Sequence, residues 1–446
     1  MRALNMKERT KRIALGFSLI DGGKDALRAK EAQNCDCRGG KLKSAPGWVQ
    51  MMKASGAPQV CSVAELDQVR IIREYDEVSK TYAERFCALS ANGDFYTQET
   101  VDGAFTQFAS GFEGAGIERF AEADSRYKLA LIGENGCAYI KDDGNFDLAA
   151  LDGTAKTGCF FRHRMLIGMK PSTLIFSAPE DELDLIDSLH DGGMIRFPNV
   201  GGSIVGVKSF EDKLYLFFEY GILRLNVSGT PTEFTVKELE YAGGKIFGRT
   251  VVVGSHGVYF LAADGLYRFD GEEVKRLLDA FVLLPKEETH LESAAAFSER
   301  ILVRYMTKNG YKTLVAYEDG KDAFYMDELP ALSGEEGGRC LFTDKNGVIC
   351  SLSDTAENGF DSRFFTAETD LGLTGRKTLT KLRFEGKGSF SLTLKNGGRT
   401  FKREVEFVDG AAEVKLSERG ERFAFEMLLK HGGEISQMIA EVKTLA

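Results

Sequence analysis

Two series of turn signals run through this chain in phase, and they limit its fold more than any other feature. The first falls at Asn92-Gly93, Asn135-Gly136, Lys170-Pro171-Ser172, Tyr220-Gly221, Asp264-Gly265, Asn309-Gly310 and Asn346-Gly347. The second falls at Asp102-Gly103, Asp143-Gly144, a polar gap at 179–181, Ser228-Gly229, Asp270-Gly271, Asp319-Gly320 and Asn358-Gly359. Asn-Gly and Asp-Gly between β-formers predict tight hairpins, because glycine takes the positive φ that primed turns require. Apolar runs flank each first-series turn, as 258–261 and 266–269 flank Asp264-Gly265. Gly93 and Gly347 are six intervals apart, about 42 residues each. A period of about 40–45 residues with about four short strands per unit marks a β-propeller. One such meander cannot bury both of its faces, and packing copies face to face in a ring solves this without a long free edge. Seven copies predict seven blades, or six if the weakly patterned unit around 150–200 is irregular. The repeats carry neither a WD dipeptide nor a kelch glycine pair.

Charge divides the 446 residues into three parts. Residues 1–53 hold 12 Lys and Arg against 5 Asp and Glu, residues 375–446 hold 14 against 10, and residues 54–374 hold 31 against 52. A basic arm is thus joined to an acidic body. It is expected to dock on an acidic neighbour, including another copy of the protein, or to pack on its own body. Within the arm, 13–20 reads as a first strand and 25–33 as a short helical turn. Arg38-Gly39-Gly40-Lys41 reads as a hairpin turn between strands at 33–37 and 41–44. Pro46-Gly47 closes the unit, and Trp48, the only tryptophan, reads as an anchor. Met51-Met52 and Gly56-Ala57-Pro58 read as a linker. Beyond residue 375 strict alternation takes over, as in Phe390, Leu392 and Leu394, in Ala412, Val414 and Leu416, and in Phe423, Phe425 and Met427. This predicts a half-buried antiparallel sheet of about six strands, forming a small sandwich or leaning on the propeller. The expected organisation is all-β: a docking arm over 1–53, a propeller of about seven blades over 54–374, and a sandwich-like antiparallel domain over 375–446.

Residues that could carry chemistry are sparse and scattered. The basic residues Lys7, Arg9, Lys11 and Arg12 precede the apolar run 13–20, but Asp21-Gly22-Gly23 follows it in place of a small-residue cleavage site. A first strand is expected rather than a secretory signal, and no apolar run approaches the roughly 18 residues of a membrane helix. The eight cysteines suit buried free thiols, since Cys35 and Cys37 have neither a second pair nor nearby histidines to complete a zinc site. The five histidines, His163, His190, His256, His290 and His431, are spread along the chain, with no more than two in any one unit. Asp142-Asp143-Gly144-Asn145 with Asp147 opens like a calcium loop but lacks the bidentate acid at loop position 12, so a plain turn is expected. The acidic run Glu180-Asp181-Glu182, Asp184 and Asp187 reads as a solvated loop. There is no Walker loop, dinucleotide fingerprint, nucleophile elbow or HExxH. The expectation is a non-enzymatic protein with no cofactor and no metal.

The most specific stretch is Ala32-Gln33-Asn34, then Gly39-Gly40-Lys41-Leu42-Lys43, then Pro46-Gly47. It resembles the opening of bacteriophage and prophage virion proteins in which such a segment precedes a β-propeller, the tail-nozzle and packaged-DNA stabilisation proteins. The resemblance implies a structural component of the tail or head-tail region, synthesised in the bacterial cytoplasm and residing in the virion. Its implied partners are copies of itself and neighbouring virion proteins, with no membrane and no sequence-specific nucleic acid. The arm residues proposed for docking are Arg28, Lys30, Asn34, Arg38, Lys41, Lys43 and Trp48. Two other classes stay open on the residues alone: a bacterial propeller binding a carbohydrate or protein ligand, and a propeller lyase or glycosidase with acids around its channel.

Overall fold

The computed structural model describes all residues except 1–7, 20–25, 64, 77–79, 114, 120–126, 134–135, 142–145, 150, 152–153, 180, 186–187, 279–288, 290, 336–337 and 446. The described residues form strands, turns and short 3₁₀ turns, with no α-helix among them. The chain divides into two compact units. Unit one comprises Met1–Val49, Leu314–Asp327 and Leu352–Ala446, and unit two comprises Gln50–Thr313 and Glu328–Ser351.

Seven small antiparallel sheets follow one another as the blades of a propeller. They occupy residues 66–109, 116–149, 155–196, 204–239, 252–277, 293–326 and 333–353, the last completed by Gly47–Gln50. Among the described residues, each first-series turn joins the second strand of a blade to its third. Tyr220-Gly221, for example, lies between Lys213–Phe218 and Gly221–Asn226. Asn135, Asp143-Gly144 and Glu180 lie outside the described residues. The weakly patterned unit is a full blade with a fifth strand, because both Asp181–Leu185 and Gly193–Arg196 pair with Thr173–Ala178. Asn358-Gly359 leads to no fourth strand. The seventh blade takes that strand from the start of the chain, and the segment after Ser353 continues to Ser362–Thr366 in another sheet.

Middle strands such as Arg164–Met169 and Gly257–Ala262 are buried at every position. A strand covered on both faces needs a continuous apolar run, which is why the repeats do not alternate. Within unit two each blade packs on the next, and Ser333–Glu335 returns to Leu66–Asp76 to close the ring. Side chains on the first strands tie neighbouring blades together. Gln68 donates to the Ala115 carbonyl at 3.0 Å and accepts from the Ile117 N–H at 3.2 Å. Thr157 accepts from the Val207 N–H, and Glu335 accepts from the Ile71 N–H at 3.1 Å. Each bond satisfies a buried backbone group that no strand partner reaches. Between the fourth and fifth blades, Tyr215 meets Phe269 edge-on at 4.7 Å and Phe217 meets Phe260 at 5.5 Å.

Unit one holds an 11-stranded sheet around one core. Six strands between Lys377 and Leu445 alternate as the sequence predicts, with Phe390, Leu392 and Leu394 all buried. Phe384 and Phe390 meet at 4.9 Å inside this core, beside Leu382, Met438 and Val442. The basic segment read as an arm supplies strands to the same unit. Glu8–Ser18 runs antiparallel to Glu434–Leu445 from Glu8↔Leu445 to Leu15↔Met438, and parallel to Ala26–Gln33 at Gly16↔Ala26. The 25–33 stretch is therefore strand and not a helical turn: Ala26–Gln33 pairs with Ser362–Thr366 and buries Leu27. Its helix-forming composition is overridden by the ladder on either side. The 33–37 and 41–44 strands shorten to Cys35–Asp36 and Leu42–Ser44 around a 3₁₀ turn at Arg38–Gly40. In unit two the expected linker is also tied down. The Met51 N–H donates to the Ile349 carbonyl at 2.9 Å, and the Cys61 N–H to the Gly347 carbonyl at 2.9 Å.

Candidate functional site

The first strands of the blades surround an axial cavity of about 270 Å³ in unit two. Three of them reach it by the same device. Pairing with the second strand passes from Leu66↔Ser90 to Gln68↔Leu89, from Ala155↔Met169 to Thr157↔Gly168, and from Ile204↔Phe218 to Gly206↔Phe217. The residues skipped are Asp67, Lys156 and Val205. An extra residue in one strand leaves the ladder and re-aims its side chain. Lys156 and Val205 line the cavity, while Asp67 is buried beside it.

Asp67 takes a forked ion pair from Arg249, Nη1 to Oδ2 at 2.8 Å and Nη2 to Oδ1 at 2.9 Å. Arg249 lies on the short 3₁₀ turn Gly248–Thr250 that precedes the fifth blade, so the pair links two blades that are not neighbours. Arg70, on the first blade, donates to the carbonyls of Gly334 and Ile117 and lies 3.9 Å from Glu335. It thereby joins the seventh, first and second blades. Lys156 and Lys208 add two further cations, from the third and fourth blades. Among the described residues lining the cavity there is no carboxylate, histidine or cysteine. The paired acids that a glycosidase requires are not among the described residues of this lining. Sequence reasoning missed this site. The signal was present as lone charged residues opening otherwise apolar first strands, but only the bulges show which face they take.

The proposed docking residues all lie in unit one, and most have partners within it. Arg28 and Lys30 are exposed on Ala26–Gln33, with the Lys30 ammonium 5.7 Å from the centre of the Phe365 ring. Arg38 stacks 4.2 Å over Tyr317 and pairs with Asp319 at 2.9 Å. Lys41 and Lys43 reach Glu434 at 3.3 and 3.9 Å. Trp48 is half-buried, and its backbone N–H donates to the Asn358 carbonyl at 3.0 Å.

Asn34 is 2 % exposed and sits at φ 55°, a left-handed conformation that asparagine tolerates. Its amide donates to Asp327 Oδ2 and to the Asp361 carbonyl, each at 3.0 Å, and accepts from the Asp327 N–H at 2.8 Å. Its own carbonyl accepts from the Ala45 N–H and from Ser362 Oγ. The nearby Gly47 is needed because a Cβ there would stand 2.2 Å from the Asn358 oxygen and 2.6 Å from His431 Nε2. The motif from Ala32 to Gly47 is therefore a clasp whose special residues satisfy backbone geometry inside unit one.

The remaining candidates are separate from one another. Cys35 and Cys37 are buried; Cys35 donates to the carbonyls of Gln33 and Arg363, and burial pushes its thiol up to about 12. His190 meets Asp184 at 2.9 Å, His431 Nε2 meets the Ala356 carbonyl, and His256 lies beside Ser255. His163 is exposed in the turn between the first two strands of the third blade, whereas His290 lies outside the described residues. Asp147 pairs with Lys141, but Asp142-Asp143-Gly144-Asn145, Glu180 and Asp187 lie outside the described residues.

No protein-family model matches this sequence, and no curated protein matches it. Solved structures similar to it are propellers. BBS1N in complex with ARL6DN is 10 % identical, with 70 % of this chain and 99 % of that one covered at a TM-score of 0.45. The β-propeller domain of Cps50 (Swd1) from Myceliophthora thermophila is 8 % identical over 67 % and 99 %, at 0.45. BamB from Moraxella catarrhalis is 10 % identical over 70 % and 99 %, at 0.40. Likeness at this level concerns fold and carries nothing about activity or partner. The chain is a seven-bladed β-propeller with a second, sandwich-like β unit.

Proposed function

We propose that this protein is a non-enzymatic structural component of a phage or prophage particle, in the tail or head-tail region, held there by contacts with other copies of itself and with neighbouring virion proteins. The observation that carries the reading is how charge is partitioned between the units. Unit one holds 27 Lys and Arg against 24 Asp and Glu, whereas unit two holds 30 against 43. A slightly basic unit on one subunit and the strongly acidic second unit on the next favour ordered association through electrostatic complementarity. The Ala32–Gly47 motif supports the same reading in a modified form. Its basic residues Lys41 and Lys43 hold Glu434, so docking falls to the exposed Arg28 and Lys30 and to the surface of the unit as a whole.

The test has two readouts. Light scattering on the purified chain should give a multimer at 50 mM salt that shrinks at 500 mM. Mass spectrometry of particles purified from the source strain should find its peptides in fixed stoichiometry with capsid or tail proteins. A monomer at both salt concentrations, together with absence from the particles, refutes the proposal. Deleting residues 1–52 is not a clean test, because it removes strands of both units.

A further inference from the structure

We propose that two copies of this chain join through the third and fourth blades of unit two, each seating Leu189 in a groove of the other. Leu189 lies on the short 3₁₀ turn Ser188–His190 and is 88 % exposed, more than any other large apolar side chain among the described residues. Met194, on the strand that follows, is 45 % exposed. One exposed apolar residue is ordinary on a protein surface, but here a receptor of matching character lies on the same unit. It is an open groove of about 340 Å³ between the third and fourth blades. Leu214, Leu225 and Val236 are register partners on one face of the fourth blade, and Phe161 of the third blade lines the same groove. Leu214 and Leu225 are buried, whereas Val236, on the edge strand Thr235–Leu239, is left 47 % exposed. A small apolar centre with a polar rim is the usual anatomy of a contact surface.

Charge sets the orientation. Unit two as a whole is strongly acidic, yet Lys213 and Lys237 line the groove, and its one carboxylate, Asp212, is held by Arg162 at 2.7 Å. Arg224, the other arginine of the lining, reaches Glu272 at 3.7 Å. Around the knob the sign is reversed, with Asp181 and Asp184 before Leu189 and Asp191 after it. Such an arrangement favours the knob of one copy over the groove of the next. Knob and groove are also neighbours. Arg164 Nη1 donates to the Asp191 carbonyl at 2.6 Å, and its guanidinium lies 5.7 Å from the centre of the Phe234 ring, one residue before Thr235 of the groove. A two-fold axis between them lets both knobs enter both grooves at once, which closes the contact at two copies. The inference rests on the reading that copies of this chain associate, and it names where.

The test is sedimentation velocity on the full chain, from about 1 to 100 µM, in 500 mM sodium chloride. Salt at that level screens surface charge but leaves the seating of an apolar side chain, so the low-salt multimer should reduce to a concentration-dependent dimer. Leu189→Asp and Val236→Asp should each weaken that dimer at least tenfold, with melting curves confirming that both variants fold. Mixing the two variants places both defects in one contact and leaves the other whole. The mixed pair should therefore dimerise at concentrations where either variant alone is monomeric, a rescue that partial unfolding cannot produce. The proposal is overturned if the parent is monomeric throughout, if folded Leu189→Asp dimerises as tightly as the parent, or if mixing brings no gain. Each of those results leaves the virion reading to be judged by the peptides found in purified particles.

Discussion

Replacing Arg249 by alanine tests the ion pair that links the first and fifth blades. The side chain of Asp67 is 1 % exposed and that of Arg249 20 %, so the pair is largely out of water and salt screens it little. Truncating the arginine leaves a buried carboxylate with no cation. Loss of one partner from such a pair costs about 3–5 kcal/mol. For a unit the size of unit two, where about 1 kcal/mol moves the midpoint by about 2 °C, the propeller transition should fall by about 6–10 °C. Calorimetry on the full chain reads it. The companion variant is Asp67→Leu with Arg249→Met, which removes both charges and keeps the volume. Apolar replacement of a buried pair is often neutral, so this double variant should melt within a few degrees of the parent. The reasoning fails if Arg249→Ala shifts the transition by less than 1 °C, or if the double variant is damaged as badly as the single one.

Other expectations follow from the same geometry. Asn34→Ala removes three side-chain hydrogen bonds and strands the Asp327 N–H and the Asp361 carbonyl, which should cost unit one about 2–4 kcal/mol in urea unfolding; an unchanged midpoint would show that water replaces the amide. Gly47→Ala drives a methyl group into the Asn358 oxygen and His431, at the first residue of the strand that completes the seventh blade, and should lower the melting temperature by several degrees; an unchanged midpoint would show that these neighbours give way. Glu84 is held below its ordinary range by hydrogen bonds from Arg339 and Arg73. A lowered carboxylate pKa contributes stability that is present above the unfolded value of 4.5 and lost as pH falls through the folded value. Melting curves at pH 7, 4.5 and 3.5 should therefore show an acid loss that Glu84→Gln reduces; an identical acid profile in that variant removes Glu84 from the account.

The propeller was legible in the sequence because its turns are chemical. Glycine after asparagine or aspartate marks the second-to-third strand hairpin again and again, and even Lys170-Pro171-Ser172 holds its place in the series. The alternation of Phe390, Leu392 and Leu394 likewise predicted a half-buried sheet and found one. What could not be read was long-range pairing. Ala26–Gln33 is composed of good helix formers, and nothing local says that Ser362–Thr366 will lie beside it. The fourth strand of the last blade stands about 300 residues before its partners. The axial site was hidden for a different reason. A one-residue bulge reverses which face a side chain takes, so Asp67 and Lys156 look like ordinary surface residues until the register is known.

The way the seventh blade is assembled sets an order of events during synthesis. Residues 47–61 leave the ribosome almost 300 residues before Gly347 and Ile349, which they bond. Six blades can stack as they emerge, each on the one before. The ring itself can close only when the seventh arrives and meets both Leu66–Asp76 and the waiting early segment. Until then the first blade offers an uncovered apolar face, with Val69 and Ile71 in reach of any other chain. Closing so long a loop carries an entropic cost that grows slowly with length, but the search for it is slow. A ribosome stalled before residue 340 would therefore hold a six-bladed arc able to accept the missing blade from a neighbouring nascent chain, and a propeller completed between two chains would be its characteristic misassembly.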